Sequence, residues 1–119
     1  MFPPSVLAKV YVKGSLKNTE KGFEFSLKNI VDSGTIVEFG PITVDGKTCQ
    51  TAALTVAIGS NERPGDQVTR LAPLSIYLGS VVLIRVNGET LSAGEHVLDI
   101  SFNTREAGRL HFEARDSLA

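Results

Sequence analysis

Strict alternation of apolar and polar residues, turn dipeptides at short intervals and the lack of any long apolar run predict an all-β fold. The expected architecture is a two-sheet, immunoglobulin-like β-sandwich of about eight or nine short antiparallel strands. Segments such as Phe23-Glu24-Phe25-Ser26-Leu27 place every second side chain on one face, as a half-buried strand requires. Asp45-Gly46 and Asn87-Gly88 offer the positive φ angles of tight turns. At 119 residues, with no visible linker or repeat, a single sandwich domain over residues 1–119 is expected.

From the N-terminus, Val6 to Lys13 alternates, and Val6, Ala8, Val10 and Val12 are predicted to share one strand face. Gly14 to Lys21 is polar and reads as a loop. Gly22 to Lys28 is the next strand, with Phe23, Phe25 and Leu27 inward and Glu24, Ser26 and Lys28 outward. Ile36 to Phe39 follows. Pro41 lacks a backbone donor, so a bulge or a change of sheet is expected at Gly40-Pro41. Ile42 to Val44 runs into the Asp45-Gly46 turn. Leu54 to Ile58 is a strand ended by Gly59, and the polar Ser60 to Asp66 reads as the clearest loop. Leu74 to Leu78 and Val81 to Val86 flank Gly79-Ser80. The second is apolar on both faces except at Arg85, which predicts a central strand or one covered by a partner.

Leu91 to His96 leads into Val97 to Phe102, where Leu98, Ile100 and Phe102 share a face. The layout from Val86 to Phe102 suits a connection that crosses between two sheets. The ending from Arg109 to Ala114 fits a strand that buries Leu110, Phe112 and Ala114. It also fits a helix that aligns Ala107, Leu110, Ala114 and Leu118. Strict alternation and Gly108 favour the strand.

Apolar residues make up 42% of the chain and charged residues 21%, the balance of a globular protein rather than a disordered tail. Thirteen acidic and twelve basic side chains leave a formal charge of -1. No concentrated positive field is therefore available for nucleic acid or an anionic membrane. The single Cys49 cannot close an intrachain disulfide, which fits a reducing compartment. Met1-Phe2-Pro3-Pro4-Ser5 lacks a basic leader and has early prolines, and the apolar stretch after it is broken at Lys9 and Lys13. It is thus unlike a secretory signal. No apolar run approaches the roughly 20 residues that span a bilayer. The expectation is a cytoplasmic protein with no nucleic-acid or membrane partner.

Catalysis needs acids, bases or nucleophiles within reach of one another. Of the two histidines, His96 begins a strand on the face of Leu98 and Ile100, as a partly buried ring at a sheet end, with Asp99 pointing the other way. His111 falls on a solvated face beside Arg109 and Glu113. Neither makes a metal-ligand spacing with Cys49 or Asp99, so no metal is expected. Cys49 has no histidine close in sequence to activate it. Glu20, Glu24, Glu38, Asp45, Asp66, Asp99 and Glu113 read as outward or turn positions, and nothing selects two of them as a glycosidase pair. The eleven glycines lie in turns and form no phosphate-cradling loop, so no nucleotide cofactor is expected. With no Trp and only Tyr11 and Tyr77, a stacking platform for sugars is poorly supplied.

Three roles follow, none with an established catalytic residue. The first is a non-catalytic accessory subunit that packs on a larger enzyme or on itself through the strand bearing Val81, Leu83, Arg85 and Val86. The second is a ligand- or carbohydrate-binding module that uses strand-end loops, through Asn61, Glu62 and Arg63 and through Arg105 and Arg109. The third is a small lyase or isomerase in which His96 works with a nearby carboxylate.

The succession Gly22-Phe23-Glu24-Phe25, Ile42-Thr43-Val44-Asp45-Gly46-Lys47 and Leu91-Ser92-Ala93-Gly94-Glu95-His96-Val97 resembles the β subunit of C-glycoside deglycosidases. These bacterial enzymes split carbon–carbon bonded sugars after oxidation of the sugar. The resemblance implies a β-sandwich packed on a larger barrel subunit, which carries the metal and the catalytic histidines. It implies no catalytic residue on this chain. Lys13-Gly14-Ser15-Leu16-Lys17-Asn18-Thr19 with Gly22-Phe23-Glu24-Phe25 also resembles short prokaryotic chains labelled hydroxymethylglutaryl-CoA reductase. The reductase activity itself is not expected, because it needs a nucleotide site and a Lys/His/Asp constellation.

Overall fold

The computed structural model describes residues 4–119. Met1, Phe2 and Pro3, which open the stretch judged unlike a secretory signal, lie outside the described residues. In chain order the strands are β1 (Lys17–Thr19), β2 (Gly22–Lys28), β3 (Gly34–Val44), β4 (Lys47–Cys49), β5 (Leu54–Ile58), β6 (Asn61–Pro64), β7 (Leu74–Ile76), β8 (Val81–Asn87), β9 (Gly94–Thr104) and β10 (Gly108–Leu118). One sheet runs β1-β2-β8-β5-β6 and the other β10-β9-β3-β4, with β7 also paired to β3. All pairings are antiparallel. The fold is therefore the all-β sandwich that the alternation predicts.

Alternation explains the core. On β2, Phe23, Phe25 and Leu27 are buried, and on β8 so are Val82, Ile84 and Val86. From the facing sheet come Ile36, Phe39, Ile42 and Val44 of β3, Leu98, Ile100 and Phe102 of β9, and Phe112 and Ala114 of β10. Each fully buried large side chain contributes about 1.5–3 kcal/mol of transfer free energy. The rings of Phe39 and Phe102 stack at 6.1 Å between centroids. The ending is a strand throughout. The step from β8 to β9 crosses from one sheet to the other, as the layout from Val86 to Phe102 suggests.

At Gly40-Pro41, β3 stays in its sheet, and its register against β9 shifts between Phe39 and Ile42. A bulge, rather than a change of sheet, absorbs the missing donor. The Asp45-Gly46 turn has φ of 53° and 82°, the left-handed pair of a tight hairpin. Gly22 sits at φ 153°, and a Cβ there would lie 2.0 Å from the carbonyl oxygen of Val86. Only glycine lets β2 begin this close to β8.

Four segments differ from expectation, the shortest change being at Leu74 to Leu78, where the strand stops at Ile76 and leaves Tyr77 and Leu78 in the following loop. Val6 to Lys13 is not a strand. Helix α1 (Pro4–Leu7) runs into a 3-10 turn at Ala8–Val10, and only Tyr11 bridges to Leu27. The buried side chains are Leu7, Val10 and Tyr11, spaced as on one helical face, while Val6 is exposed. The stretch Gly14 to Lys21 contains β1, with Leu16 buried beside it. Ser60 to Asp66 is not a free loop, because Asn61–Pro64 forms edge strand β6 against β5. Its polar composition reflects an edge mostly open to water.

A buried carboxylate anchors the N-terminal segment. Asp116, on the inward face of β10, accepts hydrogen bonds at Oδ2 from the Tyr11 hydroxyl (2.8 Å), Gly14 N–H (2.9 Å) and Leu16 N–H (3.2 Å). At Oδ1 it accepts one from Ser117 N–H, at 2.9 Å. Burial pushes its carboxyl pKa up, but the hydrogen bonds from Tyr11, Ser117, Leu16 and Gly14 together outweigh burial and hold it below the usual carboxylate value. The Tyr11 phenol is pushed well up, by burial first and by Asp116 second. Nearby, Lys13 Nζ donates to the carbonyl of Arg115 at 3.0 Å, on the outer edge of β10.

Gly22→Ala is expected to destabilise the fold by more than about 2 kcal/mol, because backbone, not a movable side chain, opposes the new methyl group. Asp116→Ala is expected to cost about 3 kcal/mol by leaving buried donors unpaired. Urea denaturation of both variants checks these values, and losses under about 0.5 kcal/mol would contradict the account.

Candidate functional site

Among the residues singled out for chemistry, the structure brings His96 and Asp45 together. The place of His96 on β9, in step with Leu98 and Ile100, turns the ring inward, where it is 5% exposed. The ring is thus largely buried. Nδ1 lies 2.6 Å from Asp45 Oδ2, and Nε2 lies 2.7 Å from the carbonyl oxygen of Ser92. Asp45 reaches it from the β3–β4 turn, 51 positions away in sequence. The other Asp45 oxygen accepts the Val97 N–H at 2.9 Å, and the Asp45 N–H donates to the Val97 carbonyl at 2.8 Å. A turn of one hairpin is thereby fastened to the start of a neighbouring strand.

The pairing decides what the imidazole can do. Both ring nitrogens face oxygen acceptors, an arrangement that favours the imidazolium, in which neither nitrogen has a lone pair to offer. The Ser92 carbonyl first and the Asp45 carboxylate second raise the His96 pKa above its ordinary value. The Val97 N–H first and His96 second lower that of Asp45. The carboxylate that a His96-dependent lyase would need is therefore present, and the same pair fastens the two strands. Asp99 points to the other face, where it lies 3.4 Å from His111 and accepts from the Thr43 hydroxyl at 3.3 Å.

Asp45 and His96 line an open cleft of about 580 Å³ with Lys47, Cys49 and Glu89. Burial pushes the Cys49 thiol pKa up and so keeps it protonated, against a smaller opposing effect of Lys47. The exposed Lys47 ammonium lies 3.9 Å from Glu89. Among the described residues no group of three or more His, Cys, Asp and Glu side chains could hold a metal ion. No helix among them is long and apolar enough to cross a membrane.

The candidate ligand loops are engaged within the chain. Arg63 donates from Nη1 to the Ala72 carbonyl at 2.7 Å and from Nη2 to that of Pro73 at 3.4 Å. Glu62 is ion-paired with Arg85 across two strands, and Asn61 begins β6 beside a tight turn. Arg105 lies in the turn between β9 and β10, where its N–H donates to Thr35 at 2.9 Å, and Arg109 is exposed on β10.

On β8, the candidate contact strand, the four residues are not one surface. Val81, Leu83 and Arg85 face outward, whereas Val86 belongs to the core. β8 is also a central strand, between β2 and β5. The larger apolar exposure lies beyond it, at the end of the sandwich. Tyr77, Leu78 and Val81 are 67%, 62% and 50% exposed, and Ile30 is 46% exposed. Hydrogen bonds join the two loops that carry them. Asn29 N–H donates to the Ser80 carbonyl at 2.8 Å, Gly79 N–H to that of Asn29 at 2.7 Å, and Leu78 N–H to the Ser33 hydroxyl at 3.1 Å. Sequence alternation drew attention to Val81 but not to Tyr77, Leu78 or Ile30, whose common place depends on the loop pairing.

The family model described as hydroxymethylglutaryl-CoA reductase, N-terminal domain, matches residues 6–119. The chain belongs to that family. No curated protein matches it. Membership in the hydroxymethylglutaryl-CoA reductase N-terminal domain family supports the second of the two resemblances in the sequence and gives none to the C-glycoside deglycosidase β subunit. The family match covers both the Asp45–His96 fastening and the exposed apolar end.

The pair makes stability depend on pH in a defined sense. The raised His96 pKa contributes stability that is full below its ordinary value of about 6.5 and lost as pH rises through the raised value. The lowered Asp45 pKa contributes stability present above its ordinary value of about 3.8 and lost as pH falls through the lowered value. The melting-temperature gap between the native chain and Asp45→Asn is therefore expected to be widest between the ordinary Asp45 and His96 values, about 3.8 and 6.5, and to shrink as pH rises through the raised His96 value. A gap that stays constant across that range would show that the pair does not titrate as described.

Proposed function

We propose that the chain is a non-catalytic accessory domain that packs through one end of its sandwich against a larger enzyme subunit or a second copy of itself. The observation that carries this reading is the exposed group Ile30, Tyr77, Leu78 and Val81, held on two mutually hydrogen-bonded loops and the first residue of β8. Contiguous apolar surface costs solvation unless something covers it, and aromatic and aliphatic side chains on firm loops are what buried interface centres use. The family's description as an N-terminal domain supports an accessory role, because it names one part of a larger enzyme. The Asp45–His96 pair supports it from the other side, since its imidazolium is committed to Ser92 and Asp45.

Two partner classes compete. The resemblance to C-glycoside deglycosidase β subunits favours a sugar-processing barrel, and the family description favours a reductase chain. Light scattering on the purified chain, alone and with each type of catalytic subunit co-expressed, separates these from self-association. A stable complex or dimer is expected. Tyr77→Ser with Leu78→Asp should weaken it at least about tenfold while leaving the melting temperature nearly unchanged. A monomer that binds neither subunit, or association that ignores those substitutions, would remove the reading.

A further inference from the structure

At the end near these loops a half-open depression reaches down to the core of the sandwich. A cleft of about 330 Å³ lies between the sheets. Leu27 and Val82 line it from one sheet, Ile36 and Phe102 from the other, and Leu7 and Val10 from the N-terminal segment. All six are buried core side chains. Val31, Ile76 and Leu110, each half-buried, stand where the cleft opens. Protein interiors are normally packed as densely as organic crystals, and an unfilled apolar space forfeits the dispersion contacts of its lining. Apolar cavities stay dry and take up apolar molecules in preference to water. The size falls at the lower end of the roughly 300–1,000 Å³ range of small-molecule sites.

The lining also sets the charge of what fits. Asp32 and Glu106 supply its ionisable groups, and among the described residues no lysine or arginine lines the cleft. Glu106 is fixed in place by the Thr35 N–H, which donates to its Oε1 at 2.8 Å. The buried Asn29 side chain holds the Asp32 backbone, donating to its carbonyl at 2.7 Å. An anionic head group would meet two carboxylates, while a hydroxyl would find acceptors.

We propose that this cleft binds a neutral, mainly hydrocarbon molecule of about a dozen non-hydrogen atoms, taking roughly 30 Å³ for each, with any hydroxyl directed at the mouth. The ligand class is that of a medium-chain alcohol, and a fatty acid of equal length is discriminated against by Asp32 and Glu106. Such a site is independent of whether the exposed group beside it meets a partner, because none of Ile30, Tyr77, Leu78 or Val81 lines it.

Titration of the isotopically labelled chain with 1-decanol and with decanoate at pH 7, followed by amide chemical shifts, tests the proposal. Decanol should give saturable shifts centred on Leu27, Val82 and Phe102, and decanoate should bind at least about tenfold more weakly. Asp32→Asn should narrow that difference. Val82→Phe should fill the space, abolish the decanol response and leave the melting temperature equal or higher. If Val82→Phe does not fold, Ile76→Phe at the mouth serves the same purpose. The proposal is overturned by no saturable shift, by shifts confined to Tyr77, Leu78 and Val81, by equal binding of decanoate, or by a folded filled variant that still responds.

Discussion

The carboxylate of Asp116 is the constraint on which the path of the chain turns. Alternation along β10 forces its side chain into the interior with Phe112 and Ala114, where an ionised group survives only if hydrogen bonds replace water. The N-terminal segment supplies them through Tyr11, Gly14 and Leu16. Once those donors are fixed, the residues before them have little choice of position. Leu7 and Val10 are carried onto the core, and Tyr11 comes to lie 5.9 Å from Phe25, ring to ring. The polar contact therefore decides where a good part of the apolar packing falls.

Local periodicity made some elements readable and left others open for definite reasons. β2 and β5 could be bounded to the residue because their apolar side chains fall at strand spacing and glycines stand at an end of each. Val6 to Lys13 satisfies the alternation of a strand and also the helical spacing of Leu7, Val10 and Tyr11. The tie is broken by Asp116, 105 positions beyond Tyr11, which no local pattern contains. β6 looked like a loop because an edge strand need not show an apolar face. The Asp45–His96 pair was hidden by its 51-residue separation, although a turn aspartate and a strand-opening histidine were each visible alone.

The polar clusters share a theme. Asp116 ties the N-terminal segment to β10, Asp45 with His96 ties a hairpin turn to β9, and Glu106 ties the β9–β10 turn to the start of β3. Each acidic side chain bonds backbone N–H groups that the strand ladders leave over, so titratable chemistry is spent on holding connections. Both features of interest, the loop patch and the cleft, lie at the same end of the molecule.

The margins of the sheets carry a further meaning. β1, β4, β6 and β7 are only 3 or 4 residues long, so they present little backbone for another chain to pair with. β10 is the long exception at 11 residues, and there the ammonium of Lys13 occupies a main-chain carbonyl that an incoming strand would need. Zipping a foreign strand onto the short margins is therefore disfavoured, and on β10 the lysine interrupts the edge near its C-terminal end. The contours of side chains then carry more of the choice of companion, a slower and more selective handshake.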